Sequence, residues 1–220
     1  MPTTSNEPNT QRLAKGNLHS QVGTPKAPGV PGDSGTHRDG PGQTTSASRW
    51  PRSPKGLPLR LVVAGASHAE GTRAIYNEAV ENTTATFEMV PRTHAQQLEW
   101  IAEHSGAYPA IVAVGEAGQV LGFGSLSPYR SRPAYSTTVE DSVYVHSDYR
   151  HRGVGKALLE ELLNLAAAHG FHAVIARIAG GNEASVALHS SCGFEMIGTE
   201  REVGRKFGRW LDVVCMERLI

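Results

Sequence analysis

What this sequence lacks narrows the field first. Its two cysteines, Cys192 and Cys215, are too few for a disulfide framework and show no metal-ligand spacing, so they read as small buried hydrophobes in a reducing, cytoplasmic protein. Neither charge is in excess: 21 basic residues balance 21 acidic ones, which removes the global field that draws chains to nucleic acid or to an anionic membrane. Any anion site must therefore be local. No run approaches the roughly 18 apolar residues of a membrane helix, and the first residues lack the apolar stretch of a secretory signal. The ten histidines are scattered. Neither His146 with His151 nor His169 with His172 has the cysteine or acidic partners of a zinc pattern, so no metal is expected.

Regular apolar spacing is missing from residues 1–57. That stretch is crowded with Pro, Gly, Ser, Thr and Asn, cannot bury enough apolar surface to offset the entropy of ordering it, and predicts a disordered tail. It is poor in acids and rich in Ser and Thr, as transit peptides are, but its Pro and Gly oppose the amphipathic helix those peptides form. Over residues 58–220 apolar clusters recur every few positions. One compact domain follows.

Within that domain Leu59 to Ala64 reads as a β-branched strand. Ser67-His68-Ala69-Glu70 and Thr93-His94-Ala95-Gln96 both have the form of a capping box, and predict helices to about Glu81 and to near Gly106. Ala110 to Val114 and Val120 to Leu126 flank Glu116-Ala117-Gly118-Gln119 as a hairpin. Thr137 to Val145 is a longer strand, with Val139, Val143 and Val145 on one face and Glu140, Ser142 and Tyr144 on the other. A helix from near Gly153 carries Ala157, Leu158, Leu162, Leu165 and Ala166 on one stripe and stops at Gly170. Ala173 to Ile178 is a strand, Asn182 caps a short helix toward Gly193, and Phe194 to Thr199 and Trp210 to Glu217 close the domain around a Gly- and Arg-rich turn. This order predicts an α+β domain with one mixed, largely antiparallel sheet flanked by helices.

The most informative segment is Val143-Tyr144-Val145-His146-Ser147-Asp148-Tyr149-Arg150-His151-Arg152-Gly153-Val154-Gly155-Lys156, a strand turning directly into a helix. Backbone N–H groups at Gly153 and Gly155 can approach an anion closely, the helix N-terminus adds partial positive charge, and Arg150, Arg152 and Lys156 bring further donors. The pattern is a pyrophosphate cradle. It lacks the lysine-serine or lysine-threonine pair of a P-loop, and no parallel βαβ unit precedes it, so neither a P-loop nor a dinucleotide site is implied.

Arg150, Gly153 and Gly155 resemble the acetyl-CoA signature R/Q-x-x-G-x-G/A of the GNAT superfamily. Asn182-Glu183-Ala184-Ser185-Val186-Ala187-Leu188-His189-Ser190-Ser191-Cys192-Gly193-Phe194 resembles its N-x-x-A/S-x-x-L-Y/H-x-x-x-G-F segment. Nearly all of residues 59–220 is similar to the phosphinothricin, methionine sulfone and arsinothricin N-acetyltransferase branch, through Glu81-Asn82-Thr83-Thr84-Ala85-Thr86-Phe87, Thr138-Val139-Glu140-Asp141-Ser142-Val143-Tyr144-Val145 and Phe207-Gly208-Arg209-Trp210-Leu211-Asp212-Val213. The resemblance implies the GNAT acyl-CoA N-acyltransferase fold, acetyl-CoA as co-substrate, a small amino-acid analogue acetylated on its α-amino group, and a homodimer.

Roles follow from that resemblance together with the chemistry. Acetyl transfer to an amine needs a proton acceptor, donors on the thioester carbonyl and a proton for the departing thiolate. Glu140 matches the family base; the alternative is a structural carboxylate paired with Arg130 or Arg132. His189 stands where much of the superfamily has a tyrosine that protonates the thiolate; it could equally pack beside the pantetheine arm. The backbones of Val143, Tyr144 and Val145 are expected to pair with the pantetheine amides as an added strand would, with Asn182 and Ser185 opposite them. The phosphates are expected at Arg150, His151, Arg152, Gly153, Val154, Gly155 and Lys156. Phe87, Arg130, Arg132 and Tyr135 are the expected substrate residues, an arginine there suiting a carboxylate or phosphinate. Acetylation of another amine, such as a polypeptide N-terminus, is the runner-up, and a non-catalytic acyl-CoA-binding module is a third reading that Glu140 and His189 oppose.

Overall fold

The structure, a computed structural model, describes residues 50–220. The expected disorder of residues 1–49 lies outside those residues. Seven strands form one sheet in the order β1-β2-β3-β4-β5-β7-β6, from Arg60–Val63 (β1), Ala110–Val114 (β2), Val120–Pro128 (β3), Thr138–Val145 (β4), Ala173–Ala179 (β5), Glu195–Lys206 (β6) and Arg209–Leu219 (β7). Every neighbouring pair is antiparallel except β4 with β5. Helices α1 (Ala69–Asn82) and α2 (His94–Glu103) cover one part of the sheet, and α3 (Val154–Ala168) and α4 (Glu183–Ser191) belong to the other layer. The period-two pattern of the strands makes both layers possible. Ile75, Tyr76 and Val80 of α1 bury against Val112, Val114 and Phe123, whereas Leu158, Leu159 and Leu162 of α3 bury against Leu121, Leu126, Val139, Val174 and Ala176.

The two capping boxes have different fates. Thr93 forms its box, with Gln96 N donating to Thr93 Oγ1 at 3.2 Å and Thr93 N donating to Gln96 Oε1 at 2.8 Å. Ser67 does not. The chain makes a 3₁₀ turn over Ala66–His68, α1 starts only at Ala69, and Glu70 turns outward to Arg73 and His94. His68 Nδ1 instead accepts from Gly65 N at 3.0 Å, a local partner that the S-x-x-E pattern does not reveal.

Two expected boundaries shift. The closing strands are longer than their aliphatic runs, because Phe207 and Gly208, both at positive φ (49° and 75°), make a tight turn that carries β6 to Lys206 and starts β7 at Arg209. Residues 50–57, read from composition as tail, belong to the compact unit that ends at Ile220. Ser53 is buried, Leu57 packs on the core, and Leu59 N donates to Pro51 O at 3.0 Å.

Candidate active site

Strands β4 and β5 pair only through Thr138–Glu140 with Ala173–Ile175, and no pairing joins them from Asp141 onward. Their facing edges diverge. Main-chain donors and acceptors along Ser142–Val145 that point toward β5 are thereby left for another partner, since such groups are seldom left unmatched. A cleft follows the divergence, walled by Asp141–Tyr144, Ala176–Ala179, Ala85, Asn182, Ser185 and His189. Val143, Tyr144 and Val145, the residues expected to pair with the pantetheine amides, lie in the stretch of β4 that is not paired with β5. The side chains of Val143 and Val145 join the core under α3, and the Tyr144 ring stacks on Phe123 at 5.2 Å and meets Tyr76 edge-on at 5.3 Å. Burial raises the Tyr144 hydroxyl pKa well above the ordinary range, so it is a packing phenol.

At the mouth of the cleft β4 passes through a 3₁₀ turn, Ser147–Tyr149, into α3. The first N–H groups of a helix have no intrahelical partner, and no acidic residue stands in the first turn of α3 to occupy them. His151 (φ 61°) and Gly153 (φ 82°) both hold left-handed conformations that bend the loop around this end. The basic side chains are spread rather than convergent. Arg150 lies 3.9 Å from Glu78 of α1, Arg152 covers the Tyr149 ring at 5.7 Å, and Lys156 is 3.8 Å from Glu160. His151 is exposed. Asn182 and Ser185 lie across the cleft, where Asn182 Oδ1 caps α4 by accepting from Ser185 N at 3.2 Å.

Glu140 is the last β4 residue paired with β5, so it marks the point where the strands part. Its carboxyl is half-buried, and burial raises its pKa above the usual carboxylate range, with Asp141 and Glu200 adding to the rise and Arg177 opposing it. Among the described residues it forms no ion pair, so neither Arg130 nor Arg132 is the structural partner that sequence offered. The neighbouring cation is Arg177 of β5, itself ion-paired to Glu200 of β6. Sequence reasoning missed both. Arg177 interrupts an otherwise apolar strand, and that interruption was the available signal.

His189 is 4% exposed and Asp141 6%. Their pair is tight: His189 Nε2 stands 3.1 Å from Asp141 Oδ2, and His189 Nδ1 stands 2.7 Å from the Ser185 carbonyl. Both ring nitrogens therefore face acceptors, an arrangement satisfied when both carry protons. Burial would lower the His189 pKa, but the hydrogen bond and charge of Asp141, with the Ser185 carbonyl, outweigh it and the net shift is upward. Asp141 Oδ1 is buried on the cleft wall and has no hydrogen-bond partner among the described residues. Asp141 was not among the expected site residues. Its partner is 48 positions away in sequence, and only the docking of α4 brings them together.

The expected substrate residues are placed less centrally. Arg130 lies over Tyr129 (4.9 Å) and Tyr135 (5.7 Å) in the exposed β3–β4 loop, and Arg132 is exposed at the start of the 3₁₀ turn Pro133–Tyr135. Phe87 packs on Gly204 of β6, where an added Cβ would fall 2.4 Å from the ring. Beneath it Lys206, 3% exposed, donates from Nζ to Thr86 O at 2.8 Å and ties that loop to β6. None of these side chains lines the cleft between β4 and β5.

A sheet split beside a cationic loop and helix N-terminus, with unpaired strand edges and an unpaired buried acceptor along the split, fits a long ligand that has phosphates at one end and amides along its length. That is the class of acyl-CoA-binding transferases. Comparison with known proteins bears the class out: the acetyltransferase (GNAT) family matches residues 72–194. Among curated relatives, an L-methionine sulfoximine/L-methionine sulfone acetyltransferase of Pseudomonas paraeruginosa is 44% identical over 155 residues, 70% of this chain and 90% of its own. Among solved structures, a GNAT superfamily phosphinothricin acetyltransferase of Sinorhizobium meliloti in complex with AcCoA superposes with a TM-score of 0.71 at 40% identity, covering 74% of this chain and 88% of that one. A ribosomal-protein-alanine N-acetyltransferase of Brucella melitensis gives the same TM-score of 0.71 at 40% identity, over 73% and 99%. The chain belongs to the GNAT acetyltransferase family, and it is an acetyl-CoA-dependent N-acetyltransferase.

Proposed function

We propose that the chain acetylates the α-amino group of a small amino acid or analogue of the methionine sulfoximine, methionine sulfone or phosphinothricin type, with Glu140 as proton acceptor. The observation that carries this is the position of Glu140: an unpaired carboxyl of raised pKa at the point where β4 and β5 separate. Acetyl-CoA supplies the activated acetyl thioester. Its pantetheine arm fits along the free edge of Val143, Tyr144 and Val145, with Asn182 and Ser185 opposite and the phosphates at residues 150–156. Glu140, ionised, takes the ammonium proton directly or through a water and leaves the amine nucleophilic. Its raised pKa keeps it basic enough to do so near neutrality. In this reading His189, whose ring nitrogens face Asp141 and Ser185 O and whose pKa is raised, favours the departing thiolate by its charge.

The amine approaches from the Glu140 face, which offers Arg177 for a carboxylate, and the β3–β4 loop with Arg130, Arg132 and Tyr135 adds a second basic edge. A homodimer is supported by the apolar surface left open on β6 and β7, where Met196, Ile197, Val203, Phe207 and Trp210 are each more than half exposed (60%, 56%, 53%, 54% and 62%). Both cysteines are free thiols, which fits the cytoplasm. A screen of free amino-acid analogues and of short peptides with acetyl-CoA, followed by thiol release, tests the reading. Turnover of methionine sulfone or phosphinothricin supports it, while turnover confined to peptide N-termini replaces it with the polypeptide reading.

A further inference from the structure

Ser53 stands in a stretch whose composition reads as tail, yet it is only 5% exposed. Its hydroxyl is used three times: it donates to Arg152 O at 2.7 Å and accepts from Leu57 N at 3.1 Å and Lys55 N at 3.3 Å. The turn around it is closed on itself. Gly56 N donates to Ser53 O and Ser53 N to Leu57 O, both at 2.8 Å, and the Arg52 guanidinium donates to Gly56 O at 2.7 Å. Leu57 anchors the turn on the core. A Cβ on Gly153 would lie 3.1 Å from both Ser53 Oγ and Lys55 N and 3.3 Å from Pro54 Cδ, so the glycine is needed on this side of the loop, against the turn.

The consequence for the loop is directional. A trans peptide is planar, and its C=O and N–H point in opposite directions. Holding the Arg152 carbonyl on Ser53 therefore turns the Gly153 N–H away from the turn, to the side from which an anion reaches the start of α3. The loop also needs an outside hold, because His151 and Gly153 both sit at positive φ (61° and 82°).

We propose that Ser53 is a positioning residue for acetyl-CoA: by fixing the Arg152–Gly153 peptide it aims the loop's N–H groups at the pyrophosphate, and it makes the Pro51–Leu57 turn part of the co-substrate site. This rests on the reading of residues 150–156 as the pyrophosphate loop. The test uses the full chain and two thioesters, acetyl-CoA and S-acetylpantetheine, which carries the same acetyl group without a pyrophosphate. In Ser53→Ala the KM for acetyl-CoA rises about fivefold or more, the worth of one buried hydrogen bond, while kcat, the KM for the amine and the rate with S-acetylpantetheine stay unchanged. Ser53→Thr, which keeps the hydroxyl, restores the acetyl-CoA value. If Ser53→Ala does not fold, Leu57→Ala loosens the same turn and carries the same expected selectivity. Equal losses with both thioesters, or an unchanged KM for acetyl-CoA, overturn the proposal. Lys156→Ala, measured alongside, separates the two levels. A selective acetyl-CoA loss there without one in Ser53→Ala removes Ser53 alone, and no selectivity in either removes the pyrophosphate reading as well.

Discussion

Glu140 and Asp141 are neighbours on β4 and carry the same functional group, yet the pleat sends them to opposite faces of the sheet and into opposite chemistry. Glu140 meets burial with no bonded partner among the described residues, and its pKa is raised. Asp141 meets an imidazole at 3.1 Å and raises its pKa. Asp141 and His189 line the cleft between β4 and β5, whereas Glu140 lies on the other face of β4. Separating the behaviour of adjacent titratable groups by environment is how a single site can run both halves of a proton transfer.

The comparison breaks most visibly at Glu140. Glu140→Gln is expected to lower kcat by about a hundred- to ten-thousandfold with little change in the KM for acetyl-CoA. The deficit should shrink as pH rises, because more of the amine is then already neutral. Stability gives a second sign: a carboxyl whose folded pKa is raised costs stability as pH climbs through that value, so the variant should melt no lower than wild type at alkaline pH. A kcat–pH series with parallel melts checks both, and a loss explained by unfolded protein would return Glu140 to a structural role.

On the other face, Asp141→Ala leaves a buried imidazole without its partner, a lesion of about 3–5 kcal/mol by denaturant unfolding. Because the folded pKa of His189 is raised, the pair's contribution is complete below about pH 6.5 and is lost as pH rises through the raised value. The gap between wild type and variant should accordingly be widest in mild acid and narrow toward alkaline pH. A pH-independent gap would mean that the pair is held by packing alone.

Gly153→Val tests the loop at the start of α3. With φ at 82° and the Ser53 turn behind it, the substitution should cost about 1–3 kcal/mol of stability as well as raise the KM for acetyl-CoA. An unchanged melt would place the added side chain on the ligand side after all. The smallest effect is expected at Arg177. Its charge opposes the rise in the Glu140 pKa, so Arg177→Ala should move the acid limb of the kcat–pH profile to higher pH and weaken the amine rather than acetyl-CoA. Arg132→Ala, on the exposed loop, should leave that limb in place.

The sequence by itself determined a good deal. The strand, the glycine turn and the apolar-striped helix that follows it were legible in the sequence, since the residues that set them are adjacent. The alternation from Val139 to Val145 assigned Glu140 its face in the same way, and Thr93 with Gln96 capped α2 as the pattern states. Local rules failed where a competing partner was equally near, as His68 shows against the Ser67 box. What only the tertiary structure decided involves residues that are distant in the chain. Asp141 finds His189 through the docking of α4, and Arg177 meets Glu140 and Glu200 because β4, β5 and the β6–β7 hairpin converge on one face. Ser53 reaches Arg152 across 99 positions from a stretch whose Pro and Gly content reads as tail. Composition measures how much apolar surface a segment can bury, and one buried hydroxyl with three hydrogen bonds contributes almost nothing to that measure while fixing the geometry of the loop beside it.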